Sequence, residues 1–527
     1  MKGALLVGLV LCLAPASLAC SSSDGAPGQG EGDADRRDEV GFVTLEPVDY
    51  TIHHEGVSTP LRTGRARLFY AFQPADDQPL DKPLAVVFNG GPGAATGILF
   101  GFSTARMTLD GSFAGGDAVA PNPASWTRFA NLLYVDARAT GYSYGLTEDA
   151  ERQDVREAEF GVDSFNPFVD AADLVRVLLR FFRAHPQMRA APVVFVAESY
   201  GGVRASVALD LLLSHEAYAT GASGYQDPAL VDEIRDHLAA TLPEGRRADP
   251  AAIAEQFGRL ALLQPRLSSV HQDAVAGELF EADGSPLHAL AEETGIAYQT
   301  CADKPAPCDA YDNALAFVQA AGRDLYDLRQ PQGWTFGRFH EVASRFVDPG
   351  SFEQAFGVAP ADVEGLGASA RTGAFRVVEP APVAEPLGEA LGALPDWDRY
   401  HAIELFELIG GIFVGSEAKA LGIERTGPRW GELFLSDLRH VRAFVTDAPN
   451  DIVIYTGALP GALARYDQIV AATEVADREL TVRFLDGGER RMRWLRYPAA
   501  GHTITLHQPA ELADDLEAWL VEEGGGS

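Results

Sequence analysis

The run Val193-Val194-Phe195-Val196-Ala197-Glu198-Ser199-Tyr200-Gly201-Gly202 constrains this chain more than any other stretch. Five apolar residues in a row suit a strand buried on both faces, and the residues after Gly202 read as a helix. A tight turn between the two lifts Ser199 out of the backbone and exposes its hydroxyl above a sheet, which is the geometry of a nucleophile elbow. The pattern behind that geometry is G-x-S-x-G. Here Ala197 stands at the first glycine and is small enough to fit. An ordinary strand-to-helix connection has similar letters, so the reading depends on what accompanies it.

Two further motifs stand where such a fold needs them. Asn89-Gly90-Gly91-Pro92-Gly93 follows the apolar run Leu84-Ala85-Val86-Val87-Phe88. A glycine-rich turn at a strand end lets backbone N–H groups point at an incoming oxygen, and with the Tyr200 amide it forms a candidate oxyanion hole. The bland alternative is a plain tight turn. Ala500-Gly501-His502-Thr503 follows the strand-like Met492-Arg493-Trp494-Leu495-Arg496-Tyr497, late in the chain, where a general base falls in the order serine, acid, histidine. A single loop histidine is more often incidental. The order of turn, serine and histidine along one chain favours the catalytic reading.

Together these residues resemble the serine carboxypeptidase family of the α/β-hydrolase superfamily. The resemblance runs over nearly the whole chain after its N-terminal tail. Leu68-Phe69-Tyr70 leading to Phe88-Asn89-Gly90-Gly91-Pro92-Gly93 is similar to the family's entry into its first active-site turn. Asn122-Pro123-Ala124-Ser125-Trp126, Asn131 to Asp136 and Gly141-Tyr142-Ser143-Tyr144 follow in the family's order, as do Phe181 to Pro186, Tyr326-Asp327-Leu328-Arg329, Gly501-His502 and Gln508-Pro509. The resemblance implies Ser199 as nucleophile, His502 as general base, and the amides of Gly91 and Tyr200 as oxyanion donors. Asn89, Gly90 and Glu198 then form the substrate-binding group, with Asn89 and Glu198 holding the C-terminal carboxylate of a peptide. A second glutamate expected downstream is missing from Thr96-Gly97-Ile98-Leu99-Phe100-Gly101. For the triad acid, a strand over Ile452-Val453-Ile454-Tyr455 puts Pro460 at the expected aspartate position. Asp467, expected on the following helix, is a doubtful substitute.

The implied fold is α/β: a mostly parallel central sheet flanked by helices, with a large, mainly helical cap inserted. Length and the 46% hydrophobic content suit one such domain as well as two. The expected organisation is a signal peptide over 1–19, a flexible polar tether over 20–40, the first half of the hydrolase core over 41–214, a cap over 215–427 and the second half over 428–523. Leu260-Ala261-Leu262-Leu263 within the cap span reads as a possible core strand. Phe375 to Pro395, rich in proline and alanine, reads as an extended surface loop.

Lys2, the apolar Ala4 to Leu13 and the small residues Ser17-Leu18-Ala19 form an export signal too short to span a membrane comfortably. Cys20 directly after it is similar to a bacterial lipidation site, although Ser17 stands where leucine is usual. The polar run Ser21 to Asp38 suits a tether. The alternatives are a lipoprotein anchored through Cys20 and facing periplasm or cell surface, and a plain secreted protein. Cys301 and Cys308 form an even pair, which in an exported chain favours a disulfide over zinc.

The formal net charge of −33 argues against nucleic acid as a partner. There is no nucleotide-binding glycine loop and no His-Glu-x-x-His, so neither a cofactor nor a metal is expected. Three functions compete: hydrolysis of peptide C-termini, esterase or acyltransferase chemistry on small acyl compounds, and a weakened, peptide-binding surface lipoprotein in which Pro460 replaces the acid.

Overall fold

The computed structural model describes residues 37–109, 119–138, 140–145, 162–334, 349–359, 416–423, 428–475 and 478–524. The signal segment, Cys20 and the loop over Phe375 to Pro395 lie outside them.

An eleven-stranded sheet organises the molecule. Its middle is six parallel strands in the order Asn131–Val135, Leu84–Phe88, Val193–Glu198, Arg259–Leu263, Arg442–Asp447 and Glu489–Arg496. Antiparallel strands extend both sides: Ala66–Gln73 and Glu39–Leu45 on one, Glu479–Phe484 and Ile469–Val475 on the other. The two-residue strand Tyr144–Gly145 also pairs with Ala66–Gln73. Whereas Glu489–Arg496 at the side is half exposed, the central parallel strands are buried on both faces. That is why Leu84–Phe88 and Val193–Ala197 read as unbroken apolar runs, not as alternation. This is the expected α/β-hydrolase architecture.

Helices cover the sheet. On one face Pro167–Ala184, Gly201–Leu213 and Pro428–Asp437 pack with the helices Pro228–Thr241 and Pro250–Phe257 around Leu178, Phe182, Leu209 and Phe434. The opposite face is closed by the C-terminal helix Pro509–Gly524 and by aromatic residues including Phe100, Tyr142, Phe352 and Phe356. The long helix Pro167–Ala184 starts cleanly because the Asn166 side chain accepts hydrogen bonds from the amides of Phe168 and Val169, with Pro167 preset for the first turn.

A separate apolar cluster lies outside these two layers. Val275, Phe280, Leu287, Leu290, Phe317 and Val318, on the helices Ser269–Glu281, Pro286–Thr294 and Ala310–Ala320, close over Ile452 and Ala458. This cap therefore starts after the strand Arg259–Leu263, not at His215 as the sequence suggested. The helices between 215 and 257 belong to the sheet's own covering layer, and Leu260 to Leu263 are a core strand. An amphipathic helix has the same pattern whether it packs on a sheet or on other helices, so periodicity alone misplaces the boundary. Cys301 and Cys308 are disulfide-bonded, with their Cα atoms 5.5 Å apart, at the edge of this cluster.

Candidate active site

Parallel strands put all their carboxyl ends on one edge of a sheet, and the loops there are where ligands of open α/β sheets bind. Four such loops matter here. Asn89 to Gly93 follows Leu84–Phe88, Ser199 follows Val193–Glu198, Asp451 follows Arg442–Asp447, and His502 follows Glu489–Arg496.

Ser199 has φ 59°, the left-handed conformation that a nucleophile elbow imposes on a non-glycine residue. It is half-buried between fully buried neighbours. Its backbone is bracketed by the next strand: Ser199 N donates to Leu263 O (3.0 Å), and Ser199 O accepts from Arg266 N (2.9 Å). Small residues are needed around the turn for identifiable reasons. A Cβ on Gly90 would lie 2.5 Å from Tyr200 N, and one on Gly202 would lie 2.8 Å from Arg266 O. At Gly201, by contrast, an added Cβ would meet the Ala197 Cβ at 3.4 Å, an ordinary contact, so alanine is accommodated at position 197. The helix Gly201–Leu213 starts at this point, with its positive end at the elbow.

The carboxylate that faces His502 is Asp451, with His502 Nδ1 2.6 Å from Asp451 Oδ2. Asp451 is fully buried, and its Oδ1 accepts the amides of Val453 and Ile454 at 3.0 and 3.1 Å. This corrects the expectation at Pro460. The strand is Arg442–Asp447, and Ile452 to Tyr455 is a turn that the cap covers, so the aspartate falls before that apolar quartet. Pro460 lies in the first turn of a short helix, Leu459–Leu463, and Asp467 is exposed in a turn leading to Ile469–Val475. Ile452 looked like a strand residue because it is apolar and wholly buried, but it is buried under cap helices. The available signal was Ala448-Pro449-Asn450-Asp451, turn chemistry two residues after the apolar Ala443-Phe444-Val445.

The histidine loop is fixed from both sides. His502 N donates to Tyr326 O (2.7 Å), and the Tyr326 ring packs 4.9 Å from the imidazole. A Cβ on Gly501 would lie 2.5 Å from that same carbonyl. The Asn450 amide donates to the carbonyls of Pro498 and Ala500, tying the acid's loop to the histidine's. Burial pulls the His502 pKa down, but the charge and hydrogen bond of Asp451, with smaller help from Glu198 and Asp324, outweigh it and leave it above the ordinary value.

Glu198 is buried beside Asn89, whose amide donates to its Oε2. Desolvation pushes its carboxyl up to about 7; His502 and the Asn89 hydrogen bond work against that rise, and Asp451 adds to it. A carboxyl with such a pKa is neutral in mildly acidic solution and can donate to a carboxylate. The loop around Thr96 is shaped by buried Asp136, which accepts from Thr96 N, Thr96 Oγ1 and Tyr142 N at 2.8, 2.6 and 2.9 Å. The motifs Asn131 to Asp136 and Gly141 to Ser143 thus serve the architecture behind the Asn89 to Gly93 turn. Among the described residues no group of three or more metal-ligating side chains occurs.

Comparisons with known proteins agree with this geometry. Residues 51–222 match the family described as serine carboxypeptidase. "Serine carboxypeptidase-like 44" of Arabidopsis thaliana is 33% identical over 165 residues, 31% of each chain. "Serine carboxypeptidase S10 family member 1" of Dictyostelium discoideum is 26% identical over 153 residues, 29% of this chain and 33% of that one. The chain thus spans about a third of the length of the curated relatives it matches. Among solved structures, a prohormone-processing carboxypeptidase of Saccharomyces cerevisiae, KEX1(DELTA)P, superimposes with a TM-score of 0.50 at 11% identity over 93% of both chains, a likeness of fold.

Proposed function

We propose that the chain, whose residues 51–222 match the serine carboxypeptidase family, is an exported serine hydrolase that removes C-terminal residues from peptides. The observation that carries this is the His502–Asp451 pair at 2.6 Å, on the same sheet edge as a serine with φ 59°. In this reading Ser199 Oγ attacks the scissile carbonyl and His502 Nε2 takes its proton. Asp451 keeps the Nδ1–H tautomer and stabilises the imidazolium, while the amides of Gly91 and Tyr200 hold the oxyanion. His502 then gives the proton to the leaving amine, and water repeats the sequence to free the acyl group.

Glu198 and Asn89 supply the preference for a chain end. A protonated Glu198 and the Asn89 amide donate to the substrate's terminal carboxylate, with Gly90 giving it room. An esterase or acyltransferase is the second reading, favoured by the lack of a carboxylate in Thr96 to Gly101. Matched N-blocked dipeptides with a free or amidated C-terminus separate the two. Exclusive cleavage of the free acid supports the carboxypeptidase, and equal rates refute it. The non-catalytic alternative depended on Pro460 and loses its support with Asp451. Labelling by a fluorophosphonate, mapped by mass spectrometry, is the direct test: an adduct on Ser199 is expected, and none on folded protein sinks the enzyme reading.

The Cys301–Cys308 bridge supports export, since such bonds persist in oxidising compartments. A lipid on Cys20 remains our proposal for how the protein is held. Cys20→Ser should move it from the membrane to the soluble fraction, and an unchanged membrane pool overturns that.

A further inference from the structure

Gln264 stands at the carboxyl end of Arg259–Leu263, wholly buried, with φ 47°. That backbone conformation favours glycine and is strained for a long side chain. What this side chain touches gives the position a use. Its Nε2 donates to Asp451 Oδ2 at 3.4 Å, the same oxygen that faces His502. Its Oε1 accepts from Thr446 Oγ1 at 3.3 Å and lies 3.3 Å from Thr456 Oγ1, a hydroxyl that also meets Asp447 Oδ1 at 3.0 Å. The amide orientation follows from chemistry: a carboxylate only accepts, so the NH2 group must be the end that faces it. Gln264 N in turn donates to Thr446 Oγ1 at 3.0 Å.

The segment that holds Gln264 is also the one that brackets the nucleophile. Leu263 O and Arg266 N, on either side of it, bond the two backbone groups of Ser199. Pro265 and Arg266 press on Gly202, where an added Cβ would come within 2.9 Å of both. One four-residue stretch therefore grips the serine by its main chain and the triad acid by a side chain. We propose that Gln264 is a positioning residue, fixing Asp451 relative to the Ser199 elbow so that His502 is aimed at the serine. This rests on the serine-hydrolase reading above.

The test uses the full chain, as wild type, Gln264→Ala and Gln264→Glu, in fluorophosphonate labelling and ester hydrolysis from pH 5 to 9. Gln264→Ala should slow labelling and kcat about tenfold or more with KM unchanged, since no substrate contact is lost. A protonated glutamate reproduces the donor and the acceptor of glutamine. Gln264→Glu should therefore stay near the wild-type rate at acid pH and fall progressively below it as the new carboxyl ionises against Asp451. A residue that merely filled space would give Gln264→Glu the wild-type pH profile, and that result overturns the proposal. So does an alanine variant that labels at the wild-type rate. The downfield Nδ1–H proton resonance of His502, which needs no turnover, should shift or broaden in Gln264→Ala, and an unchanged resonance also counts against it. Wild-type protein that never labels defeats the hydrolase reading instead, and the resonance still tests the Gln264–Asp451 link.

Discussion

Asparagine at position 451 would keep the size of the side chain while losing the charge that selects the His502 tautomer. Asp451→Asn should lower turnover by about four orders of magnitude, as in other serine triads. Pro460→Asp and Asp467→Asn should change it by less than about twofold, because neither side chain belongs to the group around His502. Single-turnover labelling rates of the three variants check this together. Glu198 gives a pH prediction whose sign follows from its raised pKa. Its neutral, donating form persists below about pH 7 and is lost as pH rises through that value. The KM for a peptide with a free C-terminus should therefore rise above pH 7, while that for an ester lacking a carboxylate should not. Glu198→Gln, which cannot ionise, should flatten the peptide's profile, and a persisting rise in that variant refutes the assignment. At this scale the sheet-edge positions of Ser199, the Asn89 to Gly93 turn and His502 follow from short motifs. Asp451 was masked by the apolar quartet after it despite the turn chemistry of Ala448 to Asn450, and Gln264 has no local pattern because it works through contacts with partners remote in sequence.

Elements were legible where burial and periodicity agree. Leu84–Phe88 and Val193–Glu198 are apolar because helices cover both faces. Pro167–Ala184 has dense apolar spacing over Val175 to Phe182, and its Asn-Pro start is an N-cap signal. Ile452 to Tyr455 misled because apolar residues under a cap and apolar residues in a sheet look alike over four positions. The helix Ala310–Ala320 ends before the Asp324–Leu328 turn that supports His502. Asn166→Ala should destabilise the fold by about 1–2 kcal/mol, seen as a lower urea midpoint with an unchanged slope. Gly202→Ala should both destabilise and slow labelling, because Arg266 cannot retreat without moving Ser199. A fully stable, fully reactive Gly202→Ala protein contradicts the close packing described.

At the scale of the whole molecule, the α/β-hydrolase sheet was predictable from the order of its motifs, and the extent of the cap was not. The cap has its own apolar cluster and its own disulfide. Replacing Cys301 and Cys308 by serine opens a short loop and should cost about 2–3 kcal/mol. That loss should appear as easier proteolysis within residues 265–334, with Ser199 still reactive; loss of labelling instead tells that the cap and the site are one cooperative unit. The strand Arg259–Leu263 lies between Val193–Glu198 and Arg442–Asp447, so neighbours in the sheet are separated by up to about 180 residues of chain. Such distant pairing makes late assembly the slow step of folding. A nascent chain emerging from the ribosome or crossing a membrane would present its serine long before its histidine and aspartate arrive. On the hydrolase reading proposed above, reactivity at Ser199 is therefore a readout of completed folding.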